Sequence, residues 1–444
     1  MSKLFGTDGI RGKAGTPPLD PSTIRRVGAA IVRVLGRRGA RILIGGDTRE
    51  SFEWIQQELT HGLSAEGAGV LSVGVTPTPG VAYLTRSEGF DAGIVISASH
   101  NPFADNGIKV FSGRGEKLDE DFERRIEAAV ADMAWSVGPA RQNAVEERLE
   151  LRSKYVAHLL NIFSRPQHLS RSRLVIDCAN GATVTIAPDL FRSLGFDAIV
   201  IGDRPDGRNI NLHCGSTHLD LLQKTVLETS SRLGVAFDGD GDRALFVDHT
   251  GNTVDGDAVL LLAGIQLKRE NKLPGNAIVA TVMSNIGLEL ALRERQIELV
   301  RAPVGDKYVM EHMQTRGLAL GGEQSGHIIF GDHLFTGDGI GTALQVLRIM
   351  EATHRELADL AAALVTYPQV LVNVRVRERA DYTKVPAIAE TIKRVEERVD
   401  GQGRLLIRYS GTEPLLRIMI EGKDDRDIRA WANEIAAVVK AHLA

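Results

Sequence analysis

Hydrophobic positions along this chain alternate between two patterns. Short apolar runs bounded by glycine, asparagine or proline predict buried strands, and apolar residues three and four apart predict helices. Pro21–Leu35 reads as a helix with Ile24, Val27, Ile31 and Val34 on one face. Arg41–Ile44 reads as a strand ending in Gly45-Gly46-Asp47-Thr48-Arg49, Ser51–Gly67 as a helix and Val70–Val73 as a second strand. A further helical stretch leads to strand Ile94–Ile96 and a polar loop, Ser97-Ala98-Ser99-His100-Asn101-Pro102. The turn signal Asp105-Asn106-Gly107 then returns the chain as Ile108–Phe111, with Lys109 near its start.

The unit recurs twice. Leu174–Asp177, helix Thr185–Leu194, Ala198–Ile201, helix Leu219–Ser231 and Val235–Phe237 end in Asp238-Gly239-Asp240-Gly241-Asp242-Arg243. Ala277–Thr281, helix Gly287–Arg295, Glu298–Arg301, helix Lys307–Thr315 and Leu318–Leu320 end in Gly321-Gly322-Glu323-Gln324-Ser325-Gly326-His327. From Pro368 the pattern changes. Strands Val370–Val376, Arg404–Tyr409 and Leu415–Glu421 mix with helices Val385–Val399 and Arg426–His442. The expected fold is α/β: three related mixed α/β domains and a smaller C-terminal α+β domain, arranged around a central cleft. The expected boundaries are 1–150, 151–252, 253–367 and 368–444. Ligands of such sheets collect at the carboxyl ends of the strands, so the three polar loops are candidates for one site.

Composition narrows the function. A chain of 444 residues exceeds a single core. A net charge of −4 argues against a general nucleic-acid binder and requires any anion site to be locally basic. Two cysteines, Cys178 and Cys214, form neither a disulfide framework nor a metal motif, which suits a reducing cytoplasm. Residues 1–6 lack an apolar signal region, and the longest apolar run, near Ala258–Leu267, is too short to span a bilayer.

Three carboxylates at alternate positions, Asp238, Asp240 and Asp242, separated by glycines, call for a hard cation such as Mg²⁺ or Mn²⁺. An EF-hand is excluded because its glycine and glutamate positions hold Arg243 and His249. Glu323 and Ser325 suit vicinal sugar hydroxyls, and His327 reads as an acid/base group, a phosphate contact or a structural histidine. Arg408-Tyr409-Ser410-Gly411-Thr412-Glu413-Pro414 with Arg417 reads as an anion clamp. Arg11, in the glycine-rich opening, can fork onto a phosphate. Gly337-Asp338-Gly339-Ile340-Gly341-Thr342 lacks the setting of a dinucleotide fingerprint and reads as a helix entry with Asp338 at its N-terminus.

Taken in order, Ser-Ala-Ser-His-Asn-Pro at 97–102, Asp-Gly-Asp-Gly-Asp-Arg at 238–243, Gly-Glu-Gln-Ser-Gly-His at 322–327 and Ser-Gly-Thr-Glu-Pro at 410–414 resemble the α-D-phosphohexomutase superfamily. The opening Phe-Gly-Thr-Asp-Gly-Ile-Arg-Gly and the Glu-Gln-Ser-Gly-His form resemble its bacterial amino-sugar members. Tyr409 departs from the pattern, where relatives often carry a lysine.

The resemblance implies a phosphorylated Ser99 and one Mg²⁺ held by Asp238, Asp240, Asp242 and a phosphate oxygen on Ser99. It implies a transfer site lined by His100, Lys109, Arg11 and Arg243, with sugar contacts from Glu323 and Ser325, and His100, His327 and Lys109 are the candidates for the general base. Arg408, Ser410, Gly411, Thr412 and Arg417 would grip the second phosphate. The implied reaction interconverts glucosamine 6-phosphate and glucosamine 1-phosphate through a 1,6-bisphosphate, on the route to UDP-N-acetylglucosamine. Glucosamine or glucose 1,6-bisphosphate is the expected priming species. The expected partner is a small-molecule hexosamine phosphate, with neither nucleic acid nor membrane, and the expected assembly is a homodimer. A phosphoglucomutase or phosphomannomutase, a metal-dependent sugar phosphatase and a non-catalytic sensor are the alternatives.

Overall fold

The computed structural model describes residues 4–6, 8–141, 145–400, 403–410 and 414–444. The chain divides into two compact units, residues 1–283 with 297–362 and residues 284–296 with 363–444.

The first unit contains three sheets. In the first, β1 (Ile10–Lys13), β2 (Arg41–Gly46), β3 (Gly69–Val75), β4 (Ala92–Ile96), β5 (Asp105–Ser112) and β6 (Glu146–Glu147) lie in the order β1-β5-β4-β2-β3-β6. The second holds β7 (Arg173–Asp177), β8 (Asp197–Ile201), β9 (Leu233–Phe237), β10 (Ala244–Asp248) and β11 (Thr253–Val254), ordered β11-β10-β9-β7-β8. The third holds β12 (Ala277–Thr281), β13 (Glu298–Ala302), β14 (Leu320–Gly322) and β15 (Ile328–Phe330), ordered β13-β12-β14-β15.

One arrangement recurs in all three. A central strand pairs in parallel with two neighbours, and an antiparallel strand lies beyond the last of them. The sequence repeat is therefore a repeat of topology. Each polar loop joins a parallel strand to its antiparallel partner (β4 to β5, β9 to β10, β14 to β15), so ladder hydrogen bonds pin both ends of the loop.

Several expected boundaries move. Asp105-Asn106-Gly107 is not a turn but the start of β5, paired with Lys13, Gly12 and Arg11 of β1. Strand β1 lies inside the opening read as glycine-rich loop. The last strand of the third repeat is Leu320–Gly322 rather than Leu318–Leu320. The helix expected over Thr185–Leu194 splits into a 3₁₀ turn at Ala182–Thr185 and a helix at Ala187–Ser193 with proline in its first turn. Pro188 has no N–H to continue the preceding turn.

Helix Pro21–Leu35 starts where the Asp20 carboxylate accepts from Thr23 N–H at 3.1 Å and stops at left-handed Gly36. It packs on helix Phe52–Ala65 at a contact that only glycine permits. A Cβ on Gly62 would stand 2.0 Å from Arg25 O, and one on Gly28 would stand 2.6 Å from Leu59 O. Gly62→Ala is expected to destabilise the unit by about 2 kcal/mol or more, because backbone must move on one side. A fall in the urea midpoint with unchanged slope checks this.

The second unit is an antiparallel sheet of β16 (Gln369–Arg375), β17 (Gly403–Tyr409) and β18 (Leu415–Gly422), ordered β16-β18-β17. Ile418, Ile420 and Val374 pack in one core with Ile388 and Val395 of helix Pro386–Val399 and Ile428 and Ile435 of helix Asp425–Leu443. Helix Ile286–Glu294, which falls in the third repeat along the sequence, groups with this unit. Asn285 Nδ2 there donates to Tyr367 O at 2.9 Å. Among the described residues no helix is long and apolar enough to cross a membrane.

Candidate active site

The three hairpin loops of the first unit meet. Ser99 lies in the left-handed region, φ 54°, and its Oγ donates to Asp238 Oδ2 at 2.5 Å. Its N–H donates to Ser97 Oγ at 2.9 Å, while Ser97 Oγ donates to Asp47 Oδ2 at 2.5 Å. Ser97 is thus committed on both sides of its hydroxyl, and Ser99 is the serine turned toward the acidic loop. His100 Nδ1 lies 3.4 Å from Ser99 Oγ. Burial, then the charges of Arg243 and Arg11, push this imidazole down to about 4, so it is neutral near pH 7.

Asp238, Asp240 and Asp242 are buried, and ligand oxygens of the three lie within 4.8 Å of one another. Burial and the neighbouring carboxylates Asp242 and Asp240 push Asp238 well above the usual carboxylate range. Among the described residues, Asp240 Oδ1 and Asp242 Oδ1 are buried without a hydrogen-bond partner. Crowded oxygen ligands with unused lone pairs are the donor set of a hard divalent cation. The Lys109 ammonium approaches from one side, 2.7 Å from Asp240 Oδ2, 3.2 Å from Asp242 Oδ2 and 3.0 Å from Asp8 Oδ2. Burial alone opposes its charge, but these three carboxylates hold it well above the ordinary lysine range. Arg243 N–H donates to Asp238 Oδ1 at 3.1 Å. Arg11 reaches Ala98 O at 3.2 Å and pairs with Asp8.

In the third loop Glu323 Oε1 accepts from Gly305 N–H at 3.1 Å, and Ser325 Oγ lies 3.5 Å from Glu323 Oε2. Both are partly exposed. His327 is buried between Asp242, 3.6 Å from Nδ1, and Asp306, 3.4 Å from Nε2. Burial lowers its affinity for a proton, yet the two carboxylates raise it to about 9. Gly337 N–H donates to Nε2 at 3.0 Å and requires a lone pair there, which favours the neutral Nδ1–H form. The hydrogen bond is the firmer constraint, because leaving a buried N–H without its acceptor costs free energy. His327 therefore ties the acidic loop to the 337 loop rather than facing solvent.

The second unit carries Arg408 and Arg417 directly opposite each other on β17 and β18. Burial, then the charge of Arg417, lowers the Arg408 guanidinium below its ordinary value. Like charges at facing positions cost stability unless an anion lies between them. Arg417 Nη2 donates to buried Ser410 Oγ at 3.2 Å. Tyr409 turns to the other face, its ring 5.9 Å from Tyr382 and its hydroxyl on Ala380 O. Gly411 and Thr412 lie outside the described residues.

Asp8, Asp47, Arg49, Thr78, Asn211 and Lys117 join the site through bonds that no motif marks. Thr78 Oγ1 donates to Asp240 Oδ2 at 2.6 Å, and Lys117 bridges Asp8 and Asp306. The available signal was positional: Asp47 and Arg49 stand at the end of a buried strand, where the other repeats also turn polar.

Known proteins match this chain throughout. Phosphoglucomutase/phosphomannomutase models match in order: alpha/beta/alpha domain I over residues 2–136, domain II over 153–251, domain III over 255–367 and the C-terminal domain over 371–438. The phosphoglucosamine mutase of Geobacter sp. (strain M21) is 47% identical over 448 residues, covering 100% of this chain and 99% of that one. The phosphoglucosamine mutase of Solibacter usitatus is 48% identical over 443 residues, covering 99% of each. Among solved structures, a phosphoglucomutase/phosphomannomutase family protein of Burkholderia thailandensis superposes with a TM-score of 0.82 at 26% identity, covering 99% of this chain and 98% of that one. The Aspergillus fumigatus N-acetylphosphoglucosamine mutase, solved with GlcNAc-6P and magnesium, shares the fold at a TM-score of 0.65 and 18% identity, covering 99% of this chain and 96% of that one. The threefold sheet topology, the serine set against an acidic loop and the four domain matches have one explanation: the chain belongs to the phosphoglucomutase/phosphomannomutase family of the α-D-phosphohexomutases.

Proposed function

We propose that the chain interconverts glucosamine 6-phosphate and glucosamine 1-phosphate through phosphorylated Ser99 and a glucosamine 1,6-bisphosphate intermediate. The observation that carries this reading is the buried bond from Ser99 Oγ to Asp238, which sets the phosphate carrier against a three-carboxylate cation site. The amino sugar is argued from relatives at 47% and 48% identity over essentially their whole length.

In the first transfer the bond from phosphorus to Ser99 Oγ breaks and a bond to the free sugar hydroxyl forms. The hydroxyl proton leaves and Ser99 Oγ ends protonated. After the bisphosphate turns end for end, its other phosphoryl group returns to Ser99 with the opposite proton movement. Asp238, Asp240 and Asp242, with a phosphate oxygen on Ser99, would hold Mg²⁺. The ion supplies neutralising charge to the phosphoryl oxygens when bound. Lys109, Arg243 and Arg11 add positive charge, and His100 lies beside the reacting oxygen. Glu323 and Ser325 orient sugar hydroxyls, and Arg408, Ser410 and Arg417 receive the phosphate that is not reacting. Either 1,6-bisphosphate primes Ser99. We place the enzyme in the cytoplasm as a homodimer.

A panel of glucosamine, glucose and mannose 1-phosphates, assayed alongside inorganic phosphate release, tests the reading. Glucosamine 1-phosphate is expected to show kcat/KM about tenfold or more above the non-amino sugars, since a site with a partner for the amino group rejects analogues that lack it. Preference for glucose or mannose would establish the non-amino mutase instead. Phosphate release at the rate of turnover would establish a phosphatase.

A further inference from the structure

We propose that Arg49, assisted by Asn211, positions the phosphate-carrying serine, an inference that rests on the mutase reading above. Ser99 holds a left-handed backbone conformation that a non-glycine residue keeps only when its surroundings impose it. Both of its peptide groups are fastened. The N–H donates to Ser97 Oγ, and the carbonyl accepts from Arg49 Nη2 at 3.0 Å and from Asn211 Nδ2 at 2.9 Å.

Arg49 reaches further along the loop. Nη2 also donates to Asn101 O at 2.8 Å, while Nη1 donates to Pro102 O and to Asp105 O at 3.0 Å. Nε donates to Asp47 Oδ2 at 2.9 Å. All five guanidinium N–H donors are therefore used. The Arg49 and Asp47 side chains are 0% exposed. A buried ion pair survives when its remaining donors and acceptors are satisfied, and here four backbone carbonyls satisfy them. One planar group thus spans the connection from Ser99 to the first residue of β5. Asn211 adds a second bond to Asn101 O at 3.2 Å from the loop that follows β8.

The chemistry gives this arrangement a purpose. Ser99 Oγ donates a phosphoryl group in one transfer and accepts one in the next, so its own hydrogen bonds change within each cycle. The oxygen must return to the same place with no lasting side-chain contact to guide it. Arg49 and Asn211 fix the backbone instead and leave Oγ free to change partner.

The test measures kcat and KM on the preferred sugar phosphate for wild type, Arg49→Lys, Asn211→Ala and the double variant, below the melting temperature of each. It adds intact-mass measurement of Ser99 phosphorylation after exposure to glucose 1,6-bisphosphate. A lysine ammonium cannot span four carbonyls. Arg49→Lys is expected to lose about 100-fold in kcat with KM nearly unchanged, as for a reacting group displaced by about 1 Å. Asn211→Ala is expected to lose about tenfold, and the double variant less than the product of the two, because both hold the same carbonyls. The phosphorylated fraction is expected to fall in each variant.

A merely structural role lowers the melting temperature and leaves kcat and the KM-against-kcat split alone. Should Arg49→Lys fail to fold, Asn211→Ala decides. Variants within about twofold of wild-type kcat overturn the positioning role and leave the mutase reading intact. Absence of wild-type turnover on every sugar phosphate overturns the mutase reading and this inference together.

Discussion

Ser99→Ala is expected to lose turnover by about 10⁴-fold or more, the scale seen when a covalent intermediate is removed. No neighbour can take its place. Ser97, two residues away, is buried and already both donates to Asp47 and accepts from Ser99 N–H. The substitution should leave the fold intact, because it removes the Oγ contacts to Asp238 and His100 and keeps the backbone bonds that shape the loop. It also relieves a buried carboxylate of its nearest donor, so Asp238 stays protonated more readily unless a cation is present. Steady-state assay with a bisphosphate primer and intact mass of the protein check the expectation. Full turnover by the alanine variant, with no phosphoryl group on the chain, would remove Ser99 from the reaction.

Asp240→Asn is expected to be the next most damaging change. Asp240 receives Thr78 Oγ1 and Lys109 Nζ on one oxygen, and the other has no hydrogen-bond partner among the described residues. Asparagine preserves the shape but removes the negative charge. Second-layer changes around metals cost 10–100-fold in affinity, so loss of a direct carboxylate should weaken Mn²⁺ binding by about 100-fold or more. Electron paramagnetic resonance of free Mn²⁺ measures that directly, apart from activity. Chelation of wild type should abolish turnover and added Mg²⁺ should restore it, whereas Asp240→Asn should recover little at the same concentration. Unchanged Mn²⁺ affinity in Asp240→Asn would remove this carboxylate from the cation site. In that case the Lys109 contact would be its principal role.

Much of this site was legible along the chain because its chemistry is local. The Asp238–Asp242 string needs only alternate carboxylates with glycines between them, and a Cβ on Gly239 would stand 2.5 Å from Ser99 O. The partners that hold the serine were not legible. Asp47, Arg49 and Asn211 lie 50 to 112 residues from the serine-loop groups they bond, and nothing local marks a buried arginine as a donor to a distant loop. The turn expected at Asp105–Gly107 failed for a similar reason. Asn-Gly favours a turn locally, but pairing with β1 extends the strand, and Asn106 Nδ2 is taken by Ser51 Oγ at 2.8 Å.

The sequence by itself determined the alternation of strands and helices, the threefold repeat, the acidic loop and a serine-bearing loop, because each depends on side-chain pattern within a few residues. Tertiary structure decided that each polar loop is a hairpin between a parallel strand and an antiparallel one. It also decided that Ser97 is locked while Ser99 faces Asp238, and that Lys109 stands among three carboxylates. Those outcomes depend on which distant donors and acceptors are buried together, a competition for partners that no short stretch of chain can resolve.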